Sequence, residues 1–144
     1  ASGMASAALT EEQQIAKDLK KEQCSAKQEA RKFSLSKLKE VEEIKKEINQ
    51  ANRTQPVVGL VQKRQQLWAE INKLPGSKRG PLRAERDGVI KQIDDIIGPL
   101  NEKLAQKRAD HSKAKEIWQN KILPCAEAQQ NFDKLKSAVD DSKG

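Results

Sequence analysis

The chain has 144 residues, the size of one domain, with 34% charged against 35% hydrophobic residues, two Phe, two Trp and no Tyr. A mean hydropathy of −0.86 with so few aromatics excludes a broad globular core, and no apolar run approaches the roughly 18 residues that a membrane span needs. The formal net charge of +7 favours anionic partners such as nucleic acid, an acidic membrane or an acidic protein.

Leu, Ile and Val still recur at regular spacing. Chains rich in Ala, Glu, Lys, Leu and Arg with that periodicity form long helices that bury narrow stripes, so a low apolar fraction suffices. The expected fold is all-α: an antiparallel helical hairpin or coiled coil, elongated, with a three- or four-helix bundle as the alternative.

Residues 1–10 are small and unpatterned and predict a disordered tail, in which Ala1, Ser2 and Gly3 read as a cloning remnant before a start at Met4. They lack the charged and then apolar pattern of a secretory leader, so the expected location is cytoplasmic. Residues 11–141 are expected to form one helical domain. Thr10-Glu11-Glu12-Gln13 is a capping box that starts a helix. Ile15, Leu19, Ala26, Ala30 and Phe33, then Leu38, Val41, Ile44, Ile48 and Ala51, sit at helical spacings, with a phase disturbance at Phe33 to Ser36. Without Gly or Pro between Gly3 and Pro56, this helix can run about 40 residues. It breaks in the Asn-rich stretch before Pro56, because the residue preceding proline is pushed out of the α region.

A second helix carries Leu60, Leu67, Ile71 and Leu74 on one stripe with Trp68 beside it, and stops at Pro75-Gly76. A third starts at Pro81, a residue suited to the first helical turn, and repeats Leu82, Val89, Ile93, Ile96 and Leu100. Gly98-Pro99 is expected to interrupt it, and a further helix runs through Trp118, Cys125 and Leu135 with a kink at Pro124. Pro75 to Pro81 therefore reads as a hairpin tip. In a hairpin centred there, partner numbers sum to about 156 at equal rise per residue. Leu67 then meets Val89, Leu60 meets Ile96, and the two breaks at Pro56 and Pro99 fall at one level.

The same register places Cys24 about seven residues, roughly 10 Å, from Cys125. A disulfide needs Cα atoms within about 7 Å. The two cysteines are therefore expected to be free thiols on buried faces, with a disulfide-stapled protein as the minor alternative.

Residues 63–91 hold eight basic against three acidic side chains, +5 of the total +7. Lys73, Lys78, Arg79, Arg83 and Arg86 surround the tip and are the candidate nucleic-acid contacts. Arg offers a two-pronged donor to phosphate, and helix starts attract anions. A merely solvated inter-helix loop would carry the same residues, and both readings stand at this point. Trp68 and Trp118 are expected in the core, leaving no aromatic platform for bases at the tip.

The only histidine is His111, so no triad or imidazole metal cluster can be assembled. Gly76-Ser77-Lys78-Arg79-Gly80 is too short for a P-loop. The chain reads as a non-enzyme with no catalytic residues, no metal site and no cofactor.

Ile48-Asn49-Gln50, then Gln62-Lys63-Arg64-Gln65-Gln66-Leu67-Trp68-Ala69-Glu70-Ile71-Asn72-Lys73, a basic break, Arg86, Ile90, Gln92 to Ile96 and Leu100 to Arg108 form a further pattern. Over about residues 38–110 it resembles the N-terminal coiled-coil region of the brefeldin A resistance / nuclear segregation protein family. Members there show a KR-x-x-L-x-x-E-I segment, a basic break and I-x-x-L-D-x-x-I-x-x-x-N. This chain departs from them at Gly98-Pro99, in the 75–81 loop and after residue 110. The resemblance implies a cytoplasmic coiled-coil protein associated with ribosomes and mRNA.

The expected function is thus a non-enzymatic module that binds RNA or a ribonucleoprotein through its basic tip. The alternative is a protein-interaction scaffold for an acidic or cytoskeletal partner without a nucleic-acid role. The oligomeric state stays open.

Overall fold

The computed structural model describes residues 9–143, and most of the expected tail, residues 1–8, lies outside them. The described chain is all-α: α1 (Glu11–Asn52), α2 (Val57–Lys73), a single 3-10 turn (Gly76–Lys78) and α3 (Gly80–Lys143). The expected capping box starts α1. The Thr10 amide donates to Gln13 Oε1 at 3.0 Å, and the Gln13 amide donates to Thr10 Oγ1 at 3.1 Å. Among the described residues no helix is long and apolar enough to cross a membrane.

Contacts divide the chain into two compact units, residues 38–109 and residues 1–37 with 110–144. In the first, α2 packs against the start of α3. Val57, Leu67, Val89, Ile93 and Ile97 are buried together, with Ala51, Leu60, Leu82 and Ile96 against them. Leu60, Leu67, Leu82, Val89 and Ile96 of the expected hairpin stripes all fall in this one cluster. The end of α1 runs in the same direction as α2, antiparallel to α3: Lys107 Nζ donates to Glu40 Oε1 at 3.0 Å, while Lys63 pairs with Glu85. The chain therefore does not fold back at 49–56 into the alternative bundle. Residues 53–56 turn instead, with the Thr54 hydroxyl donating to the Gln50 carbonyl at 2.9 Å. At the start of α2 the Gln55 side chain accepts the Gly59 amide at 3.1 Å. A Cβ on Gly59 would stand 2.8 Å from that oxygen, so glycine there makes room for the cap.

The expected break at Gly98-Pro99 does not form: α3 is continuous across it, as it is across Pro124. An internal proline costs about 3 kcal/mol of helix. Pro99 is exposed, as is Asp95, whose carbonyl loses its partner, so water can reach the gap. Val89, Ile93 and Ile97 are buried to 9% exposure or less, and burial of each contributes about 1.5–3 kcal/mol. Three such residues outweigh one proline.

In the second unit the helices meet on small side chains. Ala16, Ser34, Ala114, Cys125 and Ala128 are buried, while Ile15, Leu19, Phe33, Leu35, Ile117 and Leu123 are exposed. Ile15, Leu19 and Phe33 thus do not form the buried stripe expected of them; the residues of the adjacent, smaller stripe face inward. Buried Gln13 donates to the Leu135 carbonyl at 3.3 Å.

The expectation of free thiols is overturned: Cys24 and Cys125 form a disulfide with a Cα separation of 4.7 Å. The register argument failed because it assumed one unbroken helical advance from α1 into α2, which the turn at 53–56 interrupts. The pairs of α1 with α3, Glu40 with Lys107, Cys24 with Cys125 and Gln13 with Leu135, sum to 147, 149 and 148, seven to nine below the expected hairpin sum of about 156.

Two stability measurements follow from this packing. Gly98→Ala and Pro99→Ala each stabilise the chain in urea unfolding, by about 1 and about 1–3 kcal/mol, because both positions lie in helix interior and a Cβ at Gly98 meets nothing within 4 Å. A loss of stability would show that a break at this point is required. Cys24→Ser with Cys125→Ser lowers stability by roughly 3–5 kcal/mol, since the bond closes a loop of about 100 residues; an unchanged midpoint would exclude that linkage.

Candidate functional site

The tip is built in three consecutive steps. Leu74, forced out of helix by the following Pro75, is extended at ψ 148°. The Gly76–Lys78 turn then closes, with the Lys78 amide donating to the Pro75 carbonyl at 3.0 Å, and α3 begins at Gly80.

The five candidate residues do not play one role. Lys73, Lys78 and Arg83 are exposed, and none of the ion pairs formed in the described chain involves them. Arg79 is half-buried and turned inward: its Nε donates to the Leu74 carbonyl at 2.7 Å. That carbonyl lies just past the end of α2, so Arg79 closes the loop it sits in. Arg86 lies further along α3. Its guanidinium contacts Asp87 Oδ1 at 3.2 and 3.4 Å, and its side chain is 28% exposed. An exposed neighbouring pair of this kind contributes little to stability.

Arg86 belongs to a groove instead. A cavity of about 390 Å³ lies between α2 and α3, lined by Arg64, Gln65, Trp68, Arg86 and Ile90. Trp68 is 60% exposed, against the expectation that it lies in the core. Leu67 and Ile71 take the inward positions of α2, and Trp68, one residue beyond Leu67, is rotated about 100° away from it. Arg64 was also absent from the expected set. The signal for both was present in sequence: an aromatic one step off the apolar stripe with an arginine four residues before it, hence on the same face. Trp118 is half-buried and lines a separate groove with Lys27, Gln28, Arg31 and Ile122. Among the described residues no group of three or more His, Cys, Asp or Glu is placed to hold a metal ion.

No family model matches the chain, and no curated protein or solved structure matches it at the significance applied.

The division of roles among the arginines is measurable. Arg79→Ala costs about 1–2 kcal/mol in urea unfolding, through the lost charged hydrogen bond to Leu74, whereas Lys78→Ala changes stability by less than about 0.5 kcal/mol. Equal effects of the two substitutions would remove the distinction.

Proposed function

We propose that this chain is a non-enzymatic helical module that binds RNA or a ribonucleoprotein through the basic end of the 38–109 unit. The observation that carries the reading is the set of exposed cations, Lys73, Lys78 and Arg83, without a carboxylate partner among the described residues. They lie within the stretch that holds +5 of the net charge. Cations left unneutralised by their own protein are available to phosphates, and phosphate contact supplies most of a sequence-independent affinity. The stretch that resembles the brefeldin A resistance / nuclear segregation family, residues 38–110, nearly coincides with the 38–109 unit and supports the same partner class. No catalytic role belongs to the proposal: the chain has one histidine, and both cysteines are joined to each other.

The location is part of the proposal. The cytoplasm is the expectation from sequence and resemblance. The Cys24–Cys125 disulfide weighs toward an oxidising compartment, because cytosolic thiols are kept reduced. Alkylation of the native protein at the moment of lysis decides between them: two reactive thiols after unfolding assign the cytosol, none an oxidising setting.

A second reading, an interaction scaffold without nucleic acid, is favoured by one observation. Ile15, Leu19, Phe33, Leu35, Ile117 and Leu123 are exposed in the unit that contains the disulfide, and large exposed apolar side chains are what a partner protein can cover.

Binding of a labelled single-stranded RNA is measured against salt for the wild type and for Lys73→Glu with Lys78→Glu and Arg83→Glu. Loss of three phosphate contacts flattens the slope of log affinity against log salt by about 2 and weakens binding at low salt. An unchanged slope and affinity would sink the proposal. Absence of RNA binding, with nuclease-resistant association to a protein, would establish the scaffold.

A further inference from the structure

The Trp68 groove bears on how an RNA would be held, and this inference rests on the reading above. Its charged lining residues are both arginines. Arg64 stands four residues before Trp68 on α2, and Arg86 four residues before Ile90 on α3, so each arginine shares a helix face with one apolar wall. Because the helices run antiparallel, Arg64 and Ile90 lie toward one end of the groove and Trp68 and Arg86 toward the other, with the indole 60% exposed. No ion pair formed in the described chain involves Arg64. Arg86 is engaged only by the exposed carboxylate of Asp87.

We propose that this groove is a nucleotide subsite for single-stranded RNA. One unpaired base stacks on Trp68 against Ile90, and the flanking phosphates are held by Arg64 and Arg86. Charge complementarity selects this occupant: an exposed aromatic surface in a groove whose two charged lining residues are both arginines, in the most basic stretch of the chain, fits a planar base with a phosphate on either side. Stacking of bases on exposed aromatics, with cations along the backbone, is the general device of single-strand binding. Asp87 competes with phosphate for Arg86, so removing its charge frees the arginine. The subsite adds a preference for the base itself, which the tip cations alone do not supply, since phosphate contacts carry no information about the base.

The test compares a short oligouridylate with an abasic ribose-phosphate oligomer of the same length, measured on the wild type, Trp68→Ala, Trp68→Phe and Asp87→Asn. The wild type binds the oligouridylate roughly ten-fold more tightly than the abasic oligomer, the usual size of one stacked base. That ratio falls to near unity in Trp68→Ala, is largely kept in Trp68→Phe, and both oligomers bind more tightly to Asp87→Asn. Circular dichroism checks that each variant keeps its helices. Independently, in a Trp118→Phe protein whose only indole is Trp68, the oligouridylate quenches fluorescence and the abasic oligomer does not. Equal binding of both oligomers to the wild type, still abolished by reversing the tip charges, overturns the subsite and leaves the RNA reading standing. Binding of neither oligomer overturns both. Binding of polyglutamate as tightly as the oligouridylate assigns the groove to acidic protein and overturns the subsite.

Discussion

Both units of this protein depend on α3 remaining one helix through Gly98, Pro99 and Pro124. Each proline removes a backbone donor and crowds the preceding turn, a cost of about 3 kcal/mol. What carries the helix past Pro99 is the placement of that residue on the exposed side, opposite Val89, Ile93 and Ile97, which are buried against α2. A proline on the buried side would have left its unpaired carbonyl away from water, a further cost of about 1–3 kcal/mol. The helix thus supplies one wall of the hydrophobic cluster in the 38–109 unit, and Ala114, Cys125 and Ala128 in the other.

The two units solve the problem of a narrow interface differently. In the 38–109 unit, branched side chains from α2 and α3 are buried together, each contributing about 1.5–3 kcal/mol. The contact of α1 with the later part of α3 is made by alanine, serine and cysteine. Small residues let helices approach closely but bury little area each. A covalent bond between Cys24 and Cys125 supplies there what side-chain burial does not, chiefly by restricting the unfolded chain. The large apolar residues of the same helices are left on the surface, where Ile15 and Leu123 are each 63% exposed.

At the basic end, charge that is uniform in sequence is divided by geometry. Arg79 faces inward onto the Leu74 carbonyl and stabilises the loop. Lys73, Lys78 and Arg83 stay exposed. Arg86 lines the Trp68 groove, as does Arg64 from α2. Interleaving an aromatic with cations changes what the surface can recognise. Cations alone attract any polyanion, whereas an exposed indole in a groove lined by arginines also offers a face to a planar base.

The sequence by itself determined the local elements. The Thr10–Gln13 box, the turn before Pro56, the stop at Pro75 and the α2–α3 pairing of Leu67 with Val89 depend on backbone rules and on periodicity within short windows. It also located the basic end, since charge can be counted. Only the tertiary structure decided three matters: whether Pro99 breaks its helix, which of two adjacent stripes on α1 faces inward, and whether Cys24 reaches Cys125. Each depends on burial energy or axial offset contributed by residues far away in the chain. The proline is overruled by burial against α2. The small-residue stripe of α1 is chosen because a close approach to α3 admits only small side chains. The cysteines meet because α1 does not keep the axial register of α2 across the turn at 53–56, and no pattern inside either helix records that shift.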